Sequence, residues 1–476
     1  MLRTAAGGRV AAVAMSGIAL PAPVAAAAAT LDGAALGIGW GIPFVGMLLS
    51  IALLPLVALR IWHHHYGKIA VGWAALTLLP LAAMHGPAAA LDLAAHTLLL
   101  EFLPFIIFIG TLYVVAGGIH VRGNLHGSPG LNTGILAIGA VLASLMGTTG
   151  AAMLLIRPLI RANDNRFYRV HTIVFFVFIV ANIGGSLTPL GDPPLFLGFL
   201  KGVSFFWTLE HMLAPMLFAL VILLLLFFVI DSWLYRKDLE RGLKRDPTPD
   251  SPLHIEGVAN FGLLLLVIGA VLMSGLARTG IEVQVLGQHL VLEGLMRDAA
   301  LVVIAAVSMA VTKKSTRKAN HFGWAPIEEV AKLFLGIFLT MAPVLLMLKS
   351  GTDGAFAPLV RLVTDEAGQP LNAMYFWLAG ALSSFLDNAP TYLVFFNLAG
   401  GDPQELMTTL APTLLAISAG AVFMGANTYI GNAPNFMVKA IAEERGIRMP
   451  GFFGYMLWSG AILLPIFAAM TFVFFR

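Results

Sequence analysis

Two aspartates in strongly apolar segments are the residues of this chain best suited to chemistry. Asp192 lies in Gly185-Ser-Leu-Thr-Pro-Leu-Gly-Asp-Pro-Pro194, and Asp387 lies in Ser384-Phe-Leu-Asp-Asn-Ala-Pro390. A carboxylate inside a membrane is costly, so each aspartate is a functional hypothesis. Surroundings of low dielectric constant let such a carboxylate hold a proton when no cation is bound. We predict that Asp192 and Asp387 are Na+ ligands and proton carriers.

Both motifs have a counterpart 240 residues away. Gly425-Ala-Asn-Thr-Tyr-Ile-Gly-Asn-Ala-Pro434 matches the motif around Asp192, and Ser144-Leu-Met-Gly-Thr-Thr-Gly150 matches the motif around Asp387. The chain is therefore a duplication in which Asp192 aligns with Asn432, and Asp387 aligns with Gly147. Interrupted apolar segments at corresponding places in two halves indicate the binding site of a secondary transporter.

Neutral oxygen donors surround the two aspartates in both copies. Carboxylates and neutral oxygens together suit a small, hard cation, and competition between Na+ and H+ for the same aspartate would make exchange obligatory. An alternative role is structural, since each aspartate could cap the helical segment that follows it; capping and ligand roles can hold together. The predicted donors are Thr148, Thr149, Ser186, Thr188, Asn388, Thr391, Asn427, Thr428 and Asn432.

The elements that position these residues must be membrane helices. The chain has 59% hydrophobic and 11% charged residues and a mean hydropathy of +0.88, whereas soluble domains have about 25% charged residues. This composition predicts an all-α polytopic membrane protein whose main partner is the lipid bilayer. Its net charge of +3 resides in short loops between helices, so no nucleic-acid partner is expected. The chain has no cysteine, which excludes disulfides and thiolate metal sites, and we predict no cofactor beyond Na+ and H+ as transported or coupling ions.

Loop charges predict the topology, because basic loops stay in the cytoplasm. A hairpin at 131–156 has basic residues on both flanks and so re-enters from the cytoplasm, whereas a hairpin at 371–398 has acidic flanks and re-enters from outside. The two halves are then inverted, with about 11 spans, a periplasmic C-terminus and a location in a bacterial inner membrane.

The predicted segments are a signal peptide or weakly hydrophobic first helix at 1–30, a first half at 31–235 with a broken helix at 170–200, a cytoplasmic linker at 236–257, and a second half at 258–476 with a broken helix at 410–440.

At these motifs the chain resembles the ion transporter superfamily. Asn182-Ile-Gly-Gly-Ser-Leu-Thr-Pro-Leu-Gly-Asp-Pro-Pro194 and Leu386-Asp-Asn-Ala-Pro390 are similar to motifs of NhaD-type sodium/proton antiporters. The resemblance covers residues 36–476. It implies two inverted repeats, each with a re-entrant hairpin and a discontinuous helix, and a homodimer. It also implies a cation-binding region that contains Asn182, Thr188, Asp192, Asp387 and Asn388.

The second-half motif leaves the substrate open. Asn427-Thr-Tyr-Ile-Gly-Asn-Ala-Pro-Asn435 resembles a branch of the same superfamily that is assigned to citrate transport. A carboxylate substrate needs helix N-termini and basic groups, but neither motif contains Lys or Arg. We therefore favour Na+ (or Li+)/proton antiport, with a sodium- or proton-coupled citrate or other carboxylate transporter as the alternative. An intramembrane aspartyl protease is disfavoured by the repeat, by the prolines after Asp192 and by the lack of a Gly-x-Gly-Asp sequence, so no enzyme is predicted.

Overall fold

The protein is an all-α polytopic membrane protein. A computed structural model describes residues 31–244, 246, 248 and 251–476, so the signal peptide predicted at 1–30 lies outside the described residues. In the described part of the chain, nine helices are long and apolar enough to cross a membrane, and Val170–Ser186 and Ala411–Asn427 are shorter apolar segments. One of the nine is Pro129–Met146, which the sequence assigns to a re-entrant hairpin.

Nine α-helices precede the basic stretch in the middle of the chain. They are α1 Ile42–Val57, α2 Leu59–His85, α3 Pro87–His96, α4 Leu103–Ala116, α5 Pro129–Met146, α6 Thr148–Ala162, α7 Val170–Ile179, α8 Pro193–Leu200 and α9 Trp207–Arg241. Eleven more follow it. They are α10 Ala259–Leu276, α11 Leu292–Val311, α12 Lys314–Ala319, α13 Ala325–Lys349, α14 Ala357–Leu362, α15 Asn372–Phe385, α16 Asn388–Leu398, α17 Pro403–Met407, α18 Ala411–Met424, α19 Ala433–Glu444 and α20 Phe452–Phe474.

Two small antiparallel strand pairs join the loops. One pairs β1 His120–Arg122 with β2 His254–Glu256, and the other pairs β3 Glu282–Val285 with β4 Gln288–Val291. Arg122 Nη1 lies 2.9 Å from Glu256 Oε1 across the first pair. The stretch 236–257, predicted as a linker, therefore begins inside α9 and ends in a paired strand.

The helices of the two halves break at corresponding positions. α6 begins at Thr148 and α16 at Asn388, while α8 begins at Pro193 and α19 at Ala433, so both pairs keep the 240-residue spacing. The predicted hairpins are α5 with α6 and α15 with α16, and the predicted broken helices are α7 with α8 and α18 with α19. The orientation of each half relative to the membrane remains a prediction.

The broken elements form the centre of the protein. Every residue of α7 from His171 to Ile179 is buried, and the four short helices α6, α8, α16 and α19 pack on one another in the pairs α16 with α8 and α19 with α6. Long helices at the periphery expose large apolar side chains such as Leu79, Leu265 and Val303. Such a surface suits lipid, because lipid tails favour the same side chains as a protein core.

Glu101 occupies a different place in its helix from the predicted one. The sequence suggests a span that starts near Glu101, but the helical stretch begins at Pro87 and Glu101 lies in a π-helical turn, Thr97–Phe102, between α3 and α4. Its Oε1 atom lies 2.5 Å from Lys201 Nζ just after α8, so Glu101 forms a salt bridge. The polar residues Asp92 and His96 interrupt the apolar run, so hydropathy alone does not predict the first turns of this stretch. Glu328 is exposed at the start of α13 and pairs with Lys332.

Candidate functional site

The N-termini of four short helices meet at one buried cluster. Asp192 immediately precedes α8 and Asn432 precedes α19, while Thr148 and Asn388 are the first residues of α6 and α16. The Asp192 carboxylate accepts hydrogen bonds from Thr148 Oγ1 at 3.1 Å, Asn388 Nδ2 at 2.5 Å and Asn432 Nδ2 at 3.2 Å. Each of the four residues is at most 2% exposed. The structure thus brings together four of the predicted site residues.

This cluster lies where the two repeats meet. Thr148 and Asn388 occupy equivalent positions, as do Asp192 and Asn432, so each half contributes one residue from its hairpin and one from its broken helix. The chemistry differs between the halves, because the second half supplies amides where the first supplies a hydroxyl and a carboxylate. Asp192 is consequently the one ionisable member of this four-residue cluster.

Paired glycines allow each helix to break. A Cβ atom on Gly191 would collide with the carbonyl oxygen of Gly185, and one on Gly431 would collide with that of Gly425. These pairs are equivalent in the two halves, so the same close backbone contact closes both breaks. The tips of the hairpins differ, because Gly147 has a φ of 81° whereas Asp387, its equivalent, has an ordinary φ of −56°.

Serine and threonine hydroxyls hold the breaks against the hairpins. Thr188 Oγ1 donates to the Ser144 carbonyl, and Ser144 Oγ donates to the Gly184 carbonyl. The second half repeats both bonds, from Thr428 Oγ1 to the Ser384 carbonyl and from Ser384 Oγ to the Met424 carbonyl. Thr188 and Thr428, predicted as oxygen donors of the site, therefore donate their hydroxyl protons to backbone oxygens.

Asn182 lies at the rim of the cluster with a partner that the sequence reasoning missed. Its Nδ2 atom donates to Asn435 Oδ1 at 2.7 Å, and its Oδ1 atom accepts from Asn432 Nδ2 at 3.2 Å. Asn435 in turn donates to the carbonyls of Gly425 and Thr428 in the second break. The signal for Asn435 was its place three residues after Asn432 in the quoted motif.

The other predicted donors lie around this cluster with different partners. Ser186 Oγ donates to the Ile183 carbonyl, Asn427 Nδ2 donates to Ser384 Oγ, and Thr391 Oγ1 donates to the Asp387 carbonyl. Thr149 is half-buried in the first turn of α6. Their ligand roles remain predictions.

Asp387 caps α16, as the structural alternative proposes. The half-buried carboxylate accepts from the Ala389 amide at 3.0 Å. Asp387 is the residue before Asn388, whose side chain contacts Asp192, so the two carboxylates belong to one neighbourhood. Asn388 Oδ1 is buried there without a hydrogen-bond donor. An unpaired amide oxygen and two carboxylates in one neighbourhood are the kinds of ligand that suit a hard cation.

Two of the four short helices lead from this cluster to a cavity. The cavity has a volume of about 250 Å³ and is lined by Leu197 and Lys201 from the end of α8, Leu393 of α16, and Glu101. Since α8 begins just after Asp192 and α16 begins at Asn388, the cavity lies toward the C-terminal end of α8 and beside the middle of α16.

A comparison with protein families assigns the chain. The family described as "Putative citrate transport" matches residues 33–475, which include both repeats and all four members of the buried cluster. No curated protein matches the chain. The match agrees with the resemblance of the second-half motif to the citrate branch of the ion transporter superfamily. This chain belongs to that family of transporters.

Proposed function

We propose that this protein is a secondary transporter that carries a citrate-like carboxylate across the membrane, coupled to the movement of Na+ or H+. The observation that carries the proposal is the convergence of four helix N-termini on one buried site. Each N-terminus is equivalent to about half a positive charge. Together they amount to about two positive charges, which offset the carboxylates of Asp192 and Asp387, so a cation bound at these carboxylates leaves an excess of positive charge that favours a further anion. The family's description supports the same substrate class.

The first turn of α6 is the best place for the carboxylate. Its amides at Thr149 and Gly150 have no intrahelical partner, because the first amides of a helix never do. The N-termini of α8 and α16 offer fewer free amides. α8 begins with Pro193 and Pro194, which have no N–H group, and the Ala389 amide of α16 is already bonded to Asp387. The anion would therefore contact the hairpin of the first half.

The coupling cation would bind at the carboxylates of the cluster. Asp192, Asp387 and the unpaired Oδ1 atom of Asn388 supply its oxygen ligands. A cation there would lower the cost of bringing a carboxylate to α6, and the anion would do the same for the cation, which makes their binding cooperative. This same group of oxygens is the observation that favours cation/proton antiport as the second candidate.

Purified protein in liposomes distinguishes the two functions. We expect labelled citrate to accumulate when a Na+ or H+ gradient is imposed, and we expect only slow accumulation with Asp192→Asn and none in protein-free liposomes. Glu366→Gln, which removes an exposed carboxylate outside the site, is the matched control and should transport normally. Dissipation of a proton gradient by NaCl or LiCl, read with an enclosed pH-sensitive dye and without any citrate uptake, would instead establish antiport.

A further inference from the structure

Three arginines lie at the ends of α6 and α19 remote from the central cluster. Arg157 and Arg161 are one turn apart on α6, and Arg445 directly follows α19. At 1.5 Å per residue, Arg157 lies about 14 Å and Arg161 about 20 Å along α6 from Thr148. Arg445 acts electrostatically on both. Since α6 and α19 pack together and both begin at the cluster, they run side by side to these arginines.

Two of the arginines, Arg157 and Arg161, lack acceptors for part of their hydrogen-bonding capacity, whereas Arg445 is exposed. Arg157 Nη1 and Arg161 Nε are buried and have no hydrogen-bond partner. Arg161 Nη2 donates to the Val121 carbonyl. Glu444 acts electrostatically on Arg157 and Asp164 on Arg161, but Asp164 also pairs with Arg169, so these two carboxylates do not balance the guanidinium groups around them. A buried charged donor without an acceptor is costly to the folded state, so this arrangement favours an additional anion.

A purely structural arginine has different surroundings in the same region. Arg166 is fully buried, and its guanidinium lies 2.6 Å from Asp231 and 3.1 Å from Asp238. Arginines that serve only to keep a loop in the cytoplasm need no burial, because water solvates them. Arg157 and Arg161 fit neither pattern, since each has a buried nitrogen without a hydrogen-bond partner and, among the described residues, neither forms an ion pair like those of Arg166.

We propose that Arg157, Arg161 and Arg445 form a carboxylate-binding subsite on the route between the central cluster and the membrane surface at the ends of α6 and α19. Guanidinium groups bind carboxylates through paired, charge-assisted hydrogen bonds, and an anion with several carboxylates can engage more than one of them. The identity of the anion as the transported one rests on the proposed function. The subsite itself is a separate claim about these three residues.

Transport kinetics and thermal stability test the subsite. We expect the double variant R157Q/R161Q to raise the KM for citrate roughly tenfold at a nearly unchanged maximal rate, because one lost charge-assisted bond is enough for such a change. Arg157→Lys should retain part of the affinity, whereas Arg361→Gln, an exposed arginine elsewhere, should leave KM unchanged. An unchanged KM in R157Q/R161Q would overturn the proposal.

Binding to a protein with a disabled central cluster separates this claim from the proposed function. In Asp192→Asn we expect citrate to raise Tm still, and we expect R157Q/R161Q in that background to abolish the increase. If the wild-type protein does not transport citrate but citrate raises its Tm through Arg157 and Arg161, the proposed function fails and the subsite stands. Stabilisation by inorganic phosphate and not by citrate, or stabilisation that survives R157Q/R161Q, would overturn the carboxylate subsite.

Discussion

Asp192 is the residue on which transport should depend most strongly. Its carboxylate accepts from Thr148, Asn388 and Asn432. In Asp192→Asn, an amide NH2 would face one or more of these donors, and hydrogen bonds to a charged group contribute about 1.5–3 kcal/mol each. We expect the initial rate of citrate uptake to fall by roughly 100-fold. Elution of the variant as a single folded species, in the volume of the wild-type protein, would show that insertion is intact, and normal uptake by this variant would contradict the assignment.

Variants of Asp387 should distinguish the role of its charge in transport from its role as a helix cap. Asparagine caps a helix about as well as aspartate, so Asp387→Asn should fold normally and yet lose transport because the second carboxylate is gone. Asp387→Ala should in addition lose about 1 kcal/mol of stability. Asp402→Asn is the matched control, because Asp402 caps the exposed α17 in the same way. Transport rates and Tm of the three variants decide the matter, and wild-type transport by Asp387→Asn would leave Asp387 with the capping role alone.

At this scale the sequence predicted the members of the cluster but not all of their partners. Thr148, Asp192, Asn388 and Asn432 could be found because the 240-residue spacing aligns two pairs of breaks. The partners of Thr188 and Thr428 could not, because a hydroxyl in a break can bond to a ligand or to backbone, and only the packing of the hairpin decides. Asn435 was missed because it bonds across the two repeats.

At the scale of elements, the close backbone contacts of Gly191 and Gly431 should determine whether the two broken helices can form. Gly191→Ala places a Cβ atom against the Gly185 carbonyl, which is rigid backbone in a buried region. We expect this variant to lower Tm strongly or to fail to fold. Gly134→Ala in α5, where a Cβ meets nothing within 4 Å, should be neutral or stabilise by about 0.5–1 kcal/mol. Thermal unfolding in detergent measures both, and equal Tm values would contradict the close contact.

The loop between α6 and α7 depends on the buried Arg166. It joins Asp231 and Asp238 of α9 to this loop, and His171 Nε2 also lies 2.7 Å from Asp231. Removing one member of a buried ion pair costs about 3–5 kcal/mol. Arg166→Gln should therefore lower Tm far more than Arg169→Gln, whose guanidinium lies 3.6 Å from Asp164 in a partly exposed pair. Similar Tm values for the two variants would show that the buried network contributes little.

For the whole molecule, the sequence predicted the architecture better than the ends of its helices. Apolar runs and breaks are local properties, so the starts of α6, α8, α16 and α19 follow closely from the motifs. The sequence does not predict the start of the helical stretch at Pro87, because Asp92 and His96 interrupt its apolar run. It does not predict β2 either, because β2 forms only by pairing with β1, which lies far earlier in the chain.

The inverted orientation of the two halves is a property of the whole molecule that single cysteines can test. The chain has no cysteine of its own, so any labelling reports the introduced one. Basic loops stay in the cytoplasm, which places Lys244 inside and both Glu366 and Arg476 outside. We expect a membrane-impermeant maleimide to label Glu366→Cys and Arg476→Cys in intact cells, and to label Lys244→Cys only after permeabilisation. Labelling of Glu366→Cys from the inside would put both hairpins on the same side of the membrane and would contradict the inverted orientation of the two halves.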